Sequence, residues 1–143
     1  MTSGTTKTEQ VKTLQWLNNR LRLLDQTMLP DREHFVDLRR WSEVVTAITS
    51  MQVRGAPAIG LAGAYAVALA AQEFKDLPFQ VFTAKLAEVA SEISKARPTA
   101  VNLSWAVSSV MKASQVGSNA KQVEQILISA AQNQQHEELR ANR

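Results

Sequence analysis

A chain of 143 residues, 45% hydrophobic and 20% charged, is long enough to bury a real core and has the balance of one globular domain, which excludes general disorder. Its formal net charge of +3 is spread over scattered arginines and lysines, a mild excess that suits anionic ligands without demanding nucleic acid. Cysteine is absent, which removes disulfides, thiolate metal sites and a cysteine nucleophile, and the cytoplasm is the default compartment.

Residues 1–11 are polar and rich in Thr, without the apolar core of a secretory signal, and read as a flexible tail ahead of one domain over 12–143. Leu14-Gln15-Trp16-Leu17 and the alternating Arg20-Leu21-Arg22-Leu23 flank Asn18-Asn19, the pattern of a hairpin, and a third strand is expected near His34 to Leu38. Beyond Trp41 the period becomes helical. Trp41, Val44, Val45, Ile48 and Met51 share one face, so a helix capped by Ser42 is expected to run to about Gln52.

The break at Arg54-Gly55 follows, with Pro57 in the first turn of a second helix that continues to about Phe74. Its apolar residues occupy every face, which marks it as the central helix. The uncharged stretch Gly55 to Gln72 approaches the length of a membrane span, but Ala and Gly dominate it and a buried helix explains it better. A third helix starts near Pro78, with Phe82, Leu86, Val89 and Ile93 inward, and stops at Ala96-Arg97-Pro98. A fourth runs from about Thr99 to Gln115, with Leu103, Ala106, Val107, Val110 and Met111 inward, and Gly117 ends it. Ser118 or Asn119 caps the fifth, whose inner face is Val123, Ile126, Leu127, Ala130 and Ala131, and no stop signal precedes Arg143. The fold class expected is α+β, mainly helical: short N-terminal antiparallel strands followed by a bundle of about five helices.

The segment Met51 to Gly60 carries the strongest chemical signal. It places a guanidinium, a glycine and unpaired N–H groups at a helix mouth, and such a mouth carries roughly half a positive charge and suits phosphate. Arg97 stands at a second mouth, and two arginines there share one phosphate if the second and fourth helices point their N-termini the same way. The plainer reading is helix punctuation. Neither a P-loop nor a dinucleotide-binding glycine motif is present. His34 and His136 have no ligand spacing, so no metal is expected. Asp25, Asp31, Glu33 and Asp37 form an early acidic group that reads as surface turn and strand chemistry rather than an acid-base pair. Core packing accounts for Trp41; Trp16 and Trp105 are open between packing and stacking on a base.

Three blocks resemble a known family. They are Leu24-Asp25-Gln26-Thr27 with Leu29-Pro30, Val53-Arg54-Gly55-Ala56-Pro57-Ala58-Ile59-Gly60, and Arg97-Pro98-Thr99-Ala100-Val101-Asn102-Leu103 with Trp105-Ala106. In this order they are similar to the N-terminal domain of the methylthioribose-1-phosphate isomerases. These are relatives of the ribose-1,5-bisphosphate isomerases and of the regulatory subunits of the guanine-nucleotide-exchanging translation initiation factor.

The resemblance implies an aldose-to-ketose isomerisation of 5-methylthioribose 1-phosphate in methionine salvage, without metal or organic cofactor. Arg54, Gly55, Ala56 and Arg97 match the family's substrate-binding positions. It also implies a sugar phosphate as ligand, a homodimer when complete, and neither nucleic acid nor membrane as partner. Family members continue into a Rossmann-like domain with a catalytic cysteine and aspartate, and these residues include no cysteine, so no catalytic residue is assigned here. The expectation is therefore a fragment, one half of a split enzyme whose second domain acts in cis or in trans, or a free-standing regulatory module.

Overall fold

The computed structural model describes residues 13–141, so the segment read as a flexible tail lies outside the described residues. Strands β1 (Leu14–Leu17), β2 (Arg20–Leu24) and β3 (Phe35–Leu38) form an antiparallel sheet in the order β1-β2-β3. Leu17 pairs with Arg20 across Asn18 and Asn19, whose φ angles of 48° and 66° are those of the tight hairpin turn that asparagine tolerates. Leu21 and Leu23 point into the core while Arg20 and Arg22 point away. There they flank Asp37, which lies opposite Arg22 on β3, with Arg22 Nε 2.9 Å from Asp37 Oδ1 and Arg20 Nε 3.1 Å from Oδ2. The Arg22 hydrogen bond holds the Asp37 carboxyl below its ordinary range, against the smaller opposing effect of burial.

Five helices follow: α1 (Trp41–Thr49), α2 (Ala56–Phe74), α3 (Phe79–Ser94), α4 (Val101–Ser114) and α5 (Ala120–Ala141). The expected α+β, mainly helical architecture is therefore what the chain adopts. Helix α1 differs from expectation at both ends. Ser42 lies inside the first turn, and Glu43 Oε1 instead accepts the main-chain N–H groups of Arg39 at 2.8 Å and Arg40 at 3.1 Å. The helix stops at Thr49, short of Gln52, because Met51 turns to φ 70° and the Gln52 N–H bends back to Ala47 O at 3.0 Å. Met51, expected on the buried stripe, is accordingly 42% exposed, and Val53 takes the core position.

Helix α2 is the hub. It is buried on nearly every face from Ile59 to Ala71 and packs on each of the other four helices. Close approach to α4 depends on two glycines. A Cβ on Gly60 would stand 3.0 Å from Asn102 O, and one on Gly63 would stand 2.3 Å from Leu103 Cδ1. Since Gly60 faces Asn102 and Ala106 while Gly63 faces Leu103 and Val107, the two helices run side by side with their N-termini at the same end.

The inner residues of α3 are those expected, but it ends at Ser94, and α4 begins at Val101 rather than Thr99. The intervening turns consume the residues around Pro98. Met111, Ile126 and Ala130 are half-buried rather than fully inward. Of the two candidate caps for α5, Asn119 serves: its Oδ1 accepts from the Gln122 N–H at 2.9 Å. The sheet is tied to the bundle by Trp16 stacked on Tyr65, with ring centroids 5.4 Å apart, and by the Tyr65 hydroxyl donating to Gln135 Oε1 at 2.6 Å. Gln135 Nε2 then donates to Leu14 O at 2.6 Å, so β1, α2 and α5 share one half-buried network. Trp41 is half-buried, and Trp105 is 64% exposed on α4.

Candidate anion site at the start of α2

The site is built on the turn between α1 and α2. Gly55 precedes α2 with φ 92° and ψ 134°, a conformation available to glycine and costly for residues with a Cβ, and no side chain caps the helix there. Ala56 and Ala58 lie in the first turn, where N–H groups lack a helical acceptor, and Pro57 has none to satisfy. Arg54 is exposed and makes no hydrogen bond or ion pair with any of the described residues. It borders a cleft of about 270 Å³ with Gln26, Gly55, Pro57 and Ala58, lined from α5 by Gln135, the carboxylate-bearing Glu138 and Leu139. A guanidinium without a partner among the described residues, a glycine main chain and an uncapped helix start thus meet at one concave surface, an arrangement suited to a phosphate.

The shared end of α2 and α4 brings the Arg97 turn close to this loop. Arg97 Nη1 donates to Met51 Sδ at 3.2 Å, so the two arginine-bearing turns touch through Met51. Arg97 itself stands outside the residues that line the cleft of Arg54. A second, larger groove of about 540 Å³ shares the Pro57 and Leu61 wall and continues toward Trp105 and Asn133.

Asp25 is the residue whose role differs most from the surface reading of the acidic group. It is only 2% exposed. Its Oδ1 accepts from the Thr27 N–H at 2.9 Å and the Thr27 hydroxyl at 2.6 Å, and its Oδ2 accepts from Gln52 Nε2 at 2.9 Å. Burial pushes its pKa up, but these hydrogen bonds together outweigh burial and hold the carboxyl below its ordinary range. The local signal was an Asp two residues before a Thr, the spacing of a side-chain turn. Its partner Gln52 is distant in sequence, and nothing local announces it.

Among the described residues no group of three or more His, Cys, Asp or Glu could hold a metal ion, and no helix is long and apolar enough to cross a membrane.

Comparison with known proteins places this site in context. The chain is 40% identical to a methylthioribose-1-phosphate isomerase of Crocosphaera subtropica, over 87% of this chain and 36% of the relative. It is 45% identical to that of Acetivibrio thermocellus, over 81% of this chain and 34% of the relative. The chain thus spans about a third of the length of the curated relatives it matches. Among solved structures it is similar to the translation initiation factor eIF-2B subunit delta from A. fulgidus, with a TM-score of 0.84, 32% identity and coverage of 89% of this chain and 37% of that one. It is similar also to 5-methylthioribose 1-phosphate isomerase from Pyrococcus horikoshii, with a TM-score of 0.82, 31% identity and coverage of 92% and 38%. A family model matches residues 52–143, beginning at the Gln52 turn and including both arginine-bearing loops. The chain belongs to the initiation factor 2 subunit family.

Proposed function

We propose that these residues form the substrate-binding N-terminal part of a cytoplasmic isomerase that converts 5-methylthioribose 1-phosphate to 5-methylthioribulose 1-phosphate in methionine salvage. The observation that carries this reading is Arg54, unpaired among the described residues, beside Gly55 at the uncapped start of α2, with Arg97 held nearby on Met51. The isomerases that the chain resembles support the choice of sugar phosphate over other anions. In this reading Arg54 pairs two phosphate oxygens, the first-turn N–H groups take a third, and Arg97 adds a second charge. The acid and base that move hydrogen between the sugar carbons come from the portion of the isomerase beyond the matched third, in cis or in trans, and the complete enzyme is a homodimer.

Calorimetric titration with 5-methylthioribose 1-phosphate tests the reading. Saturable binding that inorganic phosphate competes away, and that Arg54→Ala and Arg97→Ala each weaken about tenfold or more, is the expected result. Absence of saturable binding, or binding indifferent to both substitutions, would refute it. The likeness to the eIF-2B delta subunit favours a second reading, a regulatory interaction module. That reading predicts capture of a protein partner that survives both substitutions.

A further inference from the structure

Two links join the end of β2 to the turn before α2, and both pass through Gln52. The Gln26 N–H donates to Gln52 O at 2.9 Å, and the Gln52 side-chain amide donates to Asp25 Oδ2 at 2.9 Å. The other Asp25 oxygen is already occupied by both Thr27 donors, so the carboxylate is fully engaged inside the protein and has no surface to offer a ligand. Gln52 has on one side Met51, at φ 70° with its sulfur against Arg97, and on the other Val53, buried at 3%, followed directly by Arg54. The loop is therefore held by the Val53 side chain in the core, by main-chain hydrogen bonds of Gln52 to Gln26 and Ala47, and by the Gln52 side chain on Asp25, which is its one side-chain hydrogen bond to that carboxylate. Arg54 leaves from it, and Arg97 rests on it.

We infer that Asp25 is a positioning residue of the anion site: through Gln52 it fixes the turn that presents Arg54 and carries the Met51 thioether on which Arg97 rests. Resting on the reading of the α2 mouth as a sugar-phosphate site, the inference extends it to a residue that never touches the ligand. One buried carboxylate sets both cations. The logic is donor-acceptor complementarity, and complementarity can be reversed.

Asp25→Asn leaves an amide facing the Gln52 amide or the Thr27 donors, with one donor pair unmatched. Gln52→Glu sets a carboxylate against a carboxylate. In the double variant Asp25→Asn/Gln52→Glu, the new amide at position 25 donates to the new carboxylate at position 52. The hydrogen bond is restored with its roles exchanged, while the amide oxygen at position 25 still serves Thr27.

The test measures binding of 5-methylthioribose 1-phosphate by the full chain, alongside the amide and arginine Nε–H resonances of Arg54, Gly55 and Arg97. Each single substitution is expected to weaken binding about tenfold or more and to move those resonances, and the double variant to recover affinity to within about threefold and return the resonances toward wild type. Reversing the hydrogen bond restores its contribution to stability as well, so urea midpoints of all four proteins are measured beside affinity, and a loss of binding that only follows the unfolded fraction overturns the inference. Wild-type affinity in both single variants, or a double variant no better than either single one, overturns the inference. Should the wild-type chain fail to bind the sugar phosphate, the reading of the site fails. The resonances alone then decide the role of Asp25: movement and recovery sustain it, and unmoved Arg54 and Arg97 signals overturn it.

Discussion

Replacing Gly55 by alanine separates backbone strain from crowding, because Gly55 alone among the described glycines combines a positive φ with open space around a Cβ. A Cβ at Gly55 would meet nothing within 4 Å, so the steric cost against neighbours is nil. The main chain there has φ 92° and ψ 134°, a region that costs a residue with a Cβ about 1–3 kcal/mol. Alanine also restricts the unfolded chain and returns about 0.4–1 kcal/mol. Taken at the middle of both ranges, the balance is a net destabilisation of about 1.3 kcal/mol. Urea unfolding followed by circular dichroism measures it as a lowered midpoint with unchanged slope. If the loop relaxes to escape the strain, Arg54 moves with it, and binding of the sugar phosphate falls by more than stability alone requires. A Gly55→Ala protein as stable as wild type, or more stable, would show that position 55 has an ordinary backbone and would refute the account of the helix mouth.

Arg54→Lys keeps the charge but loses the two-pronged contact, at a cost of about 1–3 kcal/mol in sugar-phosphate affinity; an unchanged dissociation constant would reduce Arg54 to helix punctuation. Tyr65→Phe removes the donor to Gln135 Oε1 in the network joining β1, α2 and α5, and is expected to lower stability by about 1–3 kcal/mol in urea unfolding, an unaltered midpoint arguing against the network. Asp25 and Asp37 both have pKa values depressed by folding, so their stabilisation is complete above the ordinary aspartate value of about 4 and is lost as pH falls through the folded values. The urea midpoint should therefore drop on acidification below about pH 4, and drop less in Asp25→Asn; a midpoint independent of pH there would contradict both assignments.

Elements whose information is local were legible from the residues alone. The hairpin followed from alternation around Asn18-Asn19, and the hub helix from apolar residues on every face between Gly55 and Phe74. What remained hidden depends on partners far apart in sequence. Met51 continues the helical stripe of Trp41 and Ile48, yet it lies exposed where the chain turns back on Ala47 and Gln52 reaches Asp25 across the fold. Ser42 looks like a cap, yet Glu43 reaches back to satisfy Arg39 and Arg40 first. Asp25 sits in an acidic group that resembles surface chemistry, and only the burial supplied by the sheet and the following turn distinguishes it from Asp31 and Glu33, which are exposed. The arginines themselves were visible as punctuation at helix starts. Their proximity was not, because it depends on Gly60 and Gly63 letting α4 lie alongside α2 with both N-termini at one end.

The central claim is that Arg54 and Arg97 serve one phosphate at the start of α2, and nuclear magnetic resonance of the arginine Nε–H and first-turn amide groups tests it most directly. On titration with 5-methylthioribose 1-phosphate, Arg54, Arg97, Ala56 and Ala58 should shift together, with one dissociation constant, while the other arginines stay still. Shifts spread over surface cations, or an Arg54 response without Arg97, would contradict it.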